Sequence, residues 1–361
     1  MRDVNLELAG LLLDMAAVAG KKSQRAFGYA RAAKAVLRLE ASIMPLVEAN
    51  TFHGVPGIGP TTDRIARELL HDGSSPFVER AVTEAGRTEA IERLRALRRH
   101  FLSRAAVAEI VSRRAVAPSR ARYRGDFQMH SMWSDGTEPL DSIVDACVAR
   151  RYRCAGITDH SYGLAIARGM SMEQVTRQQA EIDALNARHA GRFRLFKGIE
   201  VNIRPDGSVD MSGDELRRFE FVVASPHSQL RSQDDQTTRM VAAVSQPGVC
   251  ILGHPQGRRF NARPGIAADW DAVFAVAARR QVAIEIDGSL DRQDVHYELA
   301  ARALGHGCLF ALDSDAHAHE ELGFVDIAIA HARLAGIPER AIVNYWSESR
   351  FLEWARSSWD R

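Results

Sequence analysis

The chain has 361 residues but only four cysteines, and no two of them form a Cys-x-x-Cys pair. Scattered cysteines of this kind predict buried thiols in a reducing compartment rather than a disulfide framework or a thiolate metal site. The N-terminus also lacks the charged and apolar segments of a signal peptide, and no apolar run approaches the ~20 residues of a membrane span. We therefore expect a cytoplasmic protein that does not contact a membrane.

The sequence also lacks a net charge that would indicate a nucleic-acid partner, because 47 basic residues face 46 acidic ones. Arginine is nevertheless concentrated between Arg87 and Arg124, a segment that we call the basic stretch. Its acidic residues are Glu89, Glu92 and Glu109. Its arginines are Arg87, Arg93, Arg95, Arg98, Arg99, Arg104, Arg113, Arg114, Arg120, Arg122 and Arg124. This composition predicts a positively charged surface just before the histidine-rich part of the chain.

The spacing of apolar residues divides the chain into two regions. Residues up to about 115 have the periodicity of amphipathic helices throughout. After Arg124, seven short apolar runs alternate with amphipathic helices, which predicts parallel strands in βα units. These strands favour a closed or nearly closed α/β barrel, and an open doubly wound sheet is the alternative. The predicted strands are 125–130, 154–159, 193–201, 219–227, 249–254, 282–287 and 308–315.

Five histidines of the barrel region stand where a predicted strand ends. They are His130, His160, His227, His254 and His317, and two acids, Glu200 and Asp315, hold similar positions. Because the carboxyl ends of parallel strands form one rim, these side chains are predicted to converge. Imidazole and carboxylate together suit zinc, manganese or iron better than calcium, which prefers oxygen ligands.

Other polar residues near these positions are predicted to have supporting or structural roles. Asp159 precedes His160 and is expected to orient that ring or a loop amide. Glu285 and Asp287 end another predicted strand and are candidates for holding ligand side chains in place. Five further histidines lie on predicted helices or beside them and are expected to be structural: His189, His296, His306, His319 and His331.

Six segments of the barrel region resemble, in order, the motifs of the polymerase and histidinol phosphatase (PHP) superfamily. The first contains Gln128, His130 and Asp135, and the others surround the strand-end residues. The segments are 125–136, 157–161, 198–200, 225–227, 253–255 and 313–317. The resemblance extends from about Arg124 to the C-terminus and is strongest to the PHP domain of bacterial family X DNA polymerases.

The resemblance implies a distorted (β/α)7 TIM-like barrel that hydrolyses phosphate esters with two or three divalent metal ions, most of all zinc or manganese. The implied ligands are Gln128, His130, Asp135, His160, Glu200, His227, His254, Asp315 and His317. Glu200 and Asp135 are also the implied catalytic carboxylates, with Arg258 as a cationic partner for the phosphate. Gln128 is a departure, because the first motif more often has His-x-His, and an amide oxygen is a weaker ligand than imidazole.

The N-terminal region carries a second resemblance. Residues 54–60, followed by a helix from Thr61, resemble a helix-hairpin-helix motif, in which glycines permit a tight turn and helix-start amides face a DNA phosphate. Together with the segment that begins at Arg25, this part resembles the N-terminal domain of family X polymerases. The implied DNA-binding residues, which would contact phosphates independently of base sequence, are Gly57, Gly59, Arg25, Arg31, Lys34 and Arg64.

We therefore predict three parts of the chain: an all-α helix-hairpin-helix domain over 1–85, a basic helical linker over 86–123 and a PHP phosphoesterase domain over 124–361. The family X polymerases have a catalytic palm between the first and last of these parts. The linker is too short and too poor in aspartate for a palm, so no polymerase activity is expected. Ile65 stands where some relatives have a lysine nucleophile, which disfavours lyase activity by that route.

Three functions are open at this point. The leading prediction is a metal-dependent phosphoesterase that acts on DNA, as a 3′–5′ exonuclease, a 3′-end processing enzyme or an abasic-site nuclease in repair. The first alternative is a small-molecule phosphatase of the histidinol-phosphatase type, and the second is a DNA-binding scaffold whose metal site has decayed. The hairpin and the basic stretch favour the leading prediction, whereas Gln128 keeps the scaffold open. The sequence indicates no protein partner.

Overall fold

The structure is a computed structural model in which residues 2–20, 22–113 and 115–361 are described. Arg114, one arginine of the basic stretch, lies outside the described residues. The chain forms two compact units. One contains the residues up to Arg113 together with Phe260–Ala262, and the other contains the rest of the chain.

The first unit is built from helices, as the periodicity predicted. They are α1 (Val4–Ala19), α2 (Gln24–Arg38), α3 (Met44–Glu48), α4 (Pro60–Asp72), α5 (Pro76–Glu84), α6 (Thr88–Ala96) and α7 (Arg104–Ser112). Several begin at a side chain that accepts a hydrogen bond from a first-turn amide: Asp3, Ser23, Ser75 and Ser103. The helices pack around a shared apolar core that includes Leu8, Leu12, Val36, Phe52 and Ile65.

The described part of the second unit contains a six-stranded parallel sheet whose strands follow one another in chain order. They are β1 (Cys154–Ile157), β2 (Arg194–Asn202), β3 (Phe221–Ser225), β4 (Ile251–Leu252), β5 (Ala283–Asp287) and β6 (Leu309–Asp313). This order excludes the doubly wound alternative, in which the strand order reverses at a switch point. The predicted α/β fold of parallel strands and helices is confirmed, but with six strands instead of seven.

The missing strand is the first predicted one, residues 125–130. On one side, the Asp126 carbonyl accepts a hydrogen bond from the Gly156 amide of β1 at 2.8 Å. The Met129 carbonyl accepts one from the amide of Thr158, just after β1, at 2.9 Å. On the other side, it joins the end of β6 through an isolated bridge between Met129 and Ala316. A regular ladder does not form because the Phe127 amide donates to the Asp313 carboxylate, at 2.7 Å, instead of to a backbone carbonyl. The segment nevertheless links the two edge strands, β1 and β6, so the sheet curls into a nearly closed barrel.

Helices connect the strands and cover the sheet. They are α8 (Leu140–Ala149), α9 (Met172–Arg188), α10 (Gly213–Leu216), α11 (Thr237–Val244), α12 (Trp270–Arg280), α13 (Tyr297–Gly305), α14 (Val325–Leu334) and α15 (Glu348–Arg356). The capping box at Ser171 fixes the start of α9, because its hydroxyl and the Gln174 side chain satisfy each other's backbone amides.

An aromatic cluster fills the end of the sheet at which the strands begin. Phe351 on α15 stacks on Phe127 with ring centroids 4.2 Å apart, and it also contacts Phe196 and Phe221. Gly198 leaves room for these rings, since a Cβ there would lie 2.4 Å from the Phe221 ring. We call this cluster the aromatic plug. It leaves the opposite, carboxyl end of the sheet for polar side chains.

The four cysteines are buried and form no disulfide, as the sequence predicted. Burial raises the pKa of the Cys147 thiol well above its usual value, so this thiol stays protonated and unreactive at neutral pH. Among the described helices, none combines the length and the apolar character that crossing a bilayer requires.

Candidate metal centre

Eight of the nine predicted metal ligands lie together at the carboxyl end of the sheet. His160 follows β1 and forms a parallel bridge with Glu200 near the end of β2. The others follow β3, β4 and β6, or belong to the loop that begins at the segment 125–130. Contacts of 3.9 Å or less join them into one set, the eight-residue cluster: His130, Asp135, His160, Glu200, His227, His254, Asp315 and His317.

Glu200 is the centre of this cluster and is fully buried. Its Oε2 lies 2.9 Å from His160 Nδ1 and 3.6 Å from His130 Nε2. Its Oε1 lies 3.0 Å from His254 Nε2 and 3.6 Å from His227 Nε2. Each carboxylate oxygen therefore faces a different pair of imidazoles, so Glu200 could contribute both oxygens to a metal centre.

Asp135 forms the centre of a second, overlapping group at the same rim. Its Oδ1 lies 3.6 Å from His160 Nε2 and 3.9 Å from His130 Nδ1, and its Oδ2 lies 3.5 Å from His317 Nε2. One potential ligand atom from each of these four residues lies within 4.8 Å of the other three. His160, Glu200 and His227 form another such group, so His160 belongs to both.

Neighbouring groups fix the orientation of the imidazoles. His227 Nδ1 donates to Asn202 Oδ1 at 2.8 Å, which leaves Nε2 to face the cluster. His317 Nδ1 donates in the same way to the carbonyl of Asp315 at 2.9 Å. Glu285 accepts a hydrogen bond from the backbone amide of His254 at 2.5 Å. These contacts agree with the expected supporting role of Glu285, since partners of this kind hold metal-binding histidines in position.

The donor set fits divalent metal ions. Within the described part of the chain, two buried ring nitrogens of the cluster, His130 Nδ1 and His254 Nδ1, have no hydrogen-bond partner. Buried lone pairs without a partner cost free energy, and a bound cation removes that cost. Imidazole nitrogen and carboxylate oxygen in this mixture are ligands of zinc, manganese and iron.

Gln128, the ninth predicted ligand, is fully buried. Both its amide oxygen and its amide nitrogen lack a hydrogen-bond partner among the described residues. Its backbone amide donates to the Asp126 carboxylate at 3.2 Å, so the start of the loop is held while the side chain is left unsatisfied. Its place among the ligands stays a prediction, to which this unpaired amide lends support.

Asp135, Glu200 and His227 have the protonation states that cation binding needs. Although burial opposes ionisation, the hydrogen bond from His317 and the nearby imidazoles lower the pKa of Asp135 to about 2. The pKa of Glu200 also lies well below its usual value because of His160 and His227, despite burial. Burial lowers the pKa of His227 to about 3, so this ring is neutral at neutral pH. Ionised carboxylates and neutral imidazoles are the forms that bind metals. Despite burial, Asp135 and Asp315 raise the pKa of His317 to about 10, so metal binding by that ring would release a proton.

Arg292 stands beside the cluster, although the sequence pattern did not select it. Its Nε lies 3.5 Å from Asp315 Oδ2 and 3.8 Å from Asp287 Oδ2, and Asp315 Oδ1 lies 3.2 Å from His130 Nε2. Arg292 lies in the loop after β5, five positions beyond the end of the strand. A search for polar residues at strand ends therefore does not find it. Its side chain is 26% exposed, and its guanidinium places a positive charge beside the cluster.

Arg258, the predicted cationic partner, is buried instead. Burial lowers its pKa to about 10, although the nearby Asp294 carboxylate favours its charged form. Its contact with a phosphate stays a prediction. Asp159 accepts hydrogen bonds from the Ser131 amide at 2.8 Å and from the Gln178 side chain at 2.6 Å. It therefore holds a loop amide, which is one of the two roles expected for it.

The histidines expected to be structural lie outside the eight-residue cluster. His331 accepts from the Tyr297 amide at 3.1 Å, and His296 accepts from the amide of Leu299 in the first turn of α13. His306 lies 3.1 Å from a carboxylate oxygen of Asp271. These contacts satisfy the rings within helices and loops, as the sequence predicted.

The predicted DNA-binding loop lies in the first unit. Gly57 has a φ of 89°, which the tight turn requires and which favours glycine. Gly59 is the N-cap of α4 and provides no side-chain cap, so the first-turn amides are open to an anion. A Cβ on Gly57 would lie 3.9 Å from Arg31, so this exposed arginine flanks the loop. Arg25 and Lys34 are also exposed on α2, whereas exposed Arg64 on α4 pairs with Glu68 at 2.8 Å.

Most arginines of the basic stretch form ion pairs, which its composition did not suggest. Arg98 is buried and pairs with Asp14 at 2.6 Å, and Arg95 pairs with Asp14, Glu79 and Glu92. Other arginines of the stretch also have acidic partners: Arg93, Arg104, Arg113, Arg120 and Arg122. Several of these acids come from distant parts of the sequence, such as Glu40 and Glu339. The positive charge expected for this surface is therefore reduced, because folding brings further carboxylates to the stretch.

Comparisons with known proteins agree with this geometry. No protein-family model matches the chain. The chain is 33% identical over 222 residues to DNA polymerase/3′-5′ exonuclease PolX of Bacillus subtilis, which is 61% of this chain and 39% of that protein. It is 30% identical over 173 residues to the probable phosphatase YcdX of Escherichia fergusonii. These aligned residues are 45% of this chain and 68% of that protein.

A solved structure, histidinol phosphate phosphatase of Lactococcus lactis with zinc, L-histidinol and phosphate, aligns at 16% identity with a TM-score of 0.41. The alignment covers 66% of this chain and 93% of that one. At this TM-score the likeness adds nothing to the assignment, which rests on the two sequence relatives, the ordered motifs and the strand-end cluster. The chain belongs to the PHP superfamily of metal-dependent phosphoesterases.

Proposed function

We propose that this phosphoesterase acts on DNA, as a 3′–5′ exonuclease, a 3′-end processing enzyme or an abasic-site nuclease in repair, without polymerase activity. The observation that carries the proposal is the presence in one chain of the eight-residue cluster and of an uncapped helix start beside Arg31. The similarity to PolX supports it, because that relative is named as a polymerase and exonuclease. The chain spans only 39% of PolX, so DNA is proposed as the substrate on the residues present here.

The proposed metal ligands are Gln128 and the eight-residue cluster, which would hold two or three zinc or manganese ions. When bound, such ions activate water and neutralise charge on phosphoryl oxygens. Glu200 and Asp135 are the proposed catalytic carboxylates, because each contacts several imidazoles of the set. Arg292 is proposed to orient the phosphate from the edge of the cluster, where a planar guanidinium can donate two hydrogen bonds. Arg258 is proposed to add positive charge from a buried position.

The proposed DNA grip consists of helix-start amides and exposed cations. Gly57 and Gly59 let the backbone approach a phosphate closely, since neither carries a side chain. Arg31 lies beside this loop and adds a positive charge to it. Arg25, Lys34 and Arg64 are exposed and extend the same proposed contact. Binding of this kind would be independent of base sequence and sensitive to salt.

We also propose the three-part organisation, with the helix-hairpin-helix domain over 1–85, the linker over 86–123 and the phosphoesterase domain over 124–361. A cytoplasmic location is proposed with it, because four buried and unpaired thiols suit a reducing compartment.

A small-molecule phosphatase is the second candidate. The similarity to YcdX favours it, because that relative is named a probable phosphatase and this chain matches 68% of its length. In this case the N-terminal helices would have no part in catalysis. The DNA proposal and the phosphatase proposal share the same hydrolytic residues and differ only in substrate.

A substrate panel separates these candidates. Protein loaded with manganese or zinc is incubated with end-labelled single-stranded DNA, an abasic duplex and histidinol phosphate, with EDTA-treated protein as the control. We expect a higher kcat/KM for one of the DNA substrates than for histidinol phosphate. Turnover of histidinol phosphate alone would rule out the DNA proposal. Turnover of no substrate with either metal would favour a binding scaffold.

A matched pair of loop variants tests the DNA grip. Both Gly54 and Gly59 have open space at the position of a Cβ and an ordinary φ. Gly59→Val would place a branched side chain beside the first amides of α4, whereas Gly54→Val would not. We expect only Gly59→Val to weaken DNA binding, roughly tenfold, with unchanged hydrolysis of a small phosphate ester. Equal affinities of the two variants for DNA would contradict the proposed grip.

A further inference from the structure

A second concave region lies at the amino end of the sheet, opposite the eight-residue cluster. It is a cavity of about 690 Å³ between the residues that precede β1, the residues that precede the segment 125–130 and the chain around α15. We call it the arginine cavity, because six arginines line it: Arg122, Arg124, Arg151, Arg153, Arg340 and Arg350. A single acidic residue, Glu339, lines it with them.

The acidic residue of the cavity is already engaged. Glu339 Oε1 lies 2.9 Å from an Arg122 nitrogen and accepts a hydrogen bond from the Ser119 amide at 2.7 Å. Within the described residues, none of the other five arginines of the cavity forms an ion pair with a carboxylate. Five guanidinium groups around one concave surface repel each other, and an anion in the cavity would remove that repulsion.

Arg124 provides an independent indication of a ligand. Its Nε is buried and has no hydrogen-bond partner in the described part of the chain. Arg124 and Arg153 also line a second cavity of about 510 Å³, together with Arg192, Arg194 and two acidic residues, Asp183 and Glu348. A buried donor without an acceptor is costly, and the residue that carries it lines both cavities.

The arginine cavity is also organised before any ligand binds. The guanidinium of Arg350 lies over the Trp346 ring, 3.9 Å from its centroid. The indole nitrogen of Trp346 donates to the carbonyl of Arg340 at 3.1 Å, which fixes the ring. Stacking of this kind holds a guanidinium in place while its N–H groups stay available at the edges. Arg350 therefore covers one face of this indole.

We propose that the arginine cavity binds the sugar–phosphate backbone of a nucleic-acid strand. Guanidinium groups bind phosphate through paired hydrogen bonds, which suits phosphates better than isolated carboxylates. Six arginines around a cavity of about 690 Å³ provide donors for several phosphates, which suits a strand better than a single phosphate. This site is separate from the hydrolytic cluster, so the inference does not depend on which ester the enzyme hydrolyses.

The test compares two double variants of the full-length protein. Arg153→Gln/Arg350→Gln removes two charges from the cavity, and Arg279→Gln/Arg356→Gln removes two exposed arginines that do not line it. Binding of a labelled oligothymidylate is measured by fluorescence anisotropy in EDTA over a range of salt. We expect only the cavity variant to bind roughly tenfold more weakly, with a salt slope lower by about 1.4, at ~0.7 for each lost phosphate contact. Equal affinities and slopes for the two variants would overturn the proposal.

A second measurement needs no variant. Phenylglyoxal modification of the natural protein is mapped by mass spectrometry with and without the oligothymidylate or inorganic tripolyphosphate. We expect the strand to protect Arg124, Arg153 and Arg350, and to leave Arg279 and Arg356 unprotected. Protection by tripolyphosphate but not by the strand would overturn the proposal in favour of a small polyphosphate ligand. Hydrolysis of a small phosphodiester by the cavity variant should stay unchanged, so a failure here is distinct from a failure of the proposed hydrolytic function.

Discussion

The two ends of the six-stranded sheet offer opposite chemistry. At the carboxyl end, imidazole nitrogens and carboxylate oxygens are buried around Glu200, and two of the ring nitrogens have no hydrogen-bond partner among the described residues. At the amino end, guanidinium groups surround a cavity beside the aromatic plug. The first arrangement provides lone pairs for cations, and the second provides N–H donors for anions.

The two ends also differ in how their side chains are held. The proposed ligands at the carboxyl end come from strand ends and the loops that directly follow them, so the parallel sheet fixes their positions. The arginines at the amino end come partly from the chain around α15, and Phe351 holds that helix against the sheet. The carboxyl end is therefore suited to exact positioning of a reaction, and the amino end to binding.

The largest expected effect concerns the carboxyl end. Glu200→Ala should lower hydrolysis by roughly 10³-fold or more, because it removes the carboxylate that contacts four imidazoles and with it several kcal/mol of transition-state stabilisation. The matched control is Glu353→Ala, at an exposed position of α15. Steady-state rates on the best substrate of the panel provide the measurement. Equal rates for the two variants would show that Glu200, at the carboxyl end of the sheet, has no role in hydrolysis.

The second prediction concerns the aromatic plug. Phe351→Ala should lower the free energy of unfolding by about 3–5 kcal/mol, because it removes a fully buried ring that stacks on Phe127. The control is Val148→Ala on α8, where the side chain is 41% exposed and the expected loss is below about 1 kcal/mol. Urea unfolding followed by circular dichroism measures both. A loss for Phe351→Ala no larger than the control would show that α15 does not hold the amino end together.

The third prediction compares arginines at the two ends. Arg292→Gln should lower kcat/KM for phosphate esters roughly 10- to 100-fold, the cost of a lost hydrogen bond to a charged group. Arg153→Gln, at the amino end, should leave the hydrolysis of a small ester unchanged. Kinetics on a chromogenic phosphate ester measure both variants. An unchanged kcat/KM for Arg292→Gln would exclude its proposed contact with the phosphate.

The smallest expected effect concerns Gln128. Gln128→His should strengthen metal binding by about tenfold or less, because imidazole is a better ligand than a neutral amide oxygen. Competition with a metal-sensitive chelator dye gives the affinity, and elemental analysis gives the stoichiometry. If both are unchanged, Gln128 is not a ligand, and its buried amide must be satisfied in another way.

The sequence predicted the carboxyl end of the sheet better than any other part. Strand-end positions are set by topology, so the strand pattern alone predicts that residues as distant as His130 and His317 meet, and their rings stack 4.4 Å apart. The segment 125–130 was predicted as a strand because its apolar pattern matches one. The Asp313 carboxylate accepts the hydrogen bond of the Phe127 amide and so interrupts the strand pairing. Nothing in the sequence of 125–130 indicates this contact, because Asp313 lies far along the chain.

The arginines show the opposite case. Neighbours in sequence indicate a strongly positive charge for the basic stretch. Arg98, however, pairs with Asp14, more than eighty positions away. The strand pattern does not predict Arg292 as a site residue, because it lies within a loop rather than at a strand end. Charge pairing depends on which surfaces the fold brings together, and a local count of acidic and basic residues does not contain that information.

The metal content of the purified protein shows most plainly whether hydrolysis by this chain depends on divalent ions. Elemental analysis of the natural protein should find two or three divalent ions per chain, with EDTA removing both the ions and the hydrolysis, and manganese or zinc restoring the hydrolysis. Glu200→Ala should hold fewer ions under the same conditions. Hydrolysis that persists in protein shown to contain no divalent metal would contradict the account.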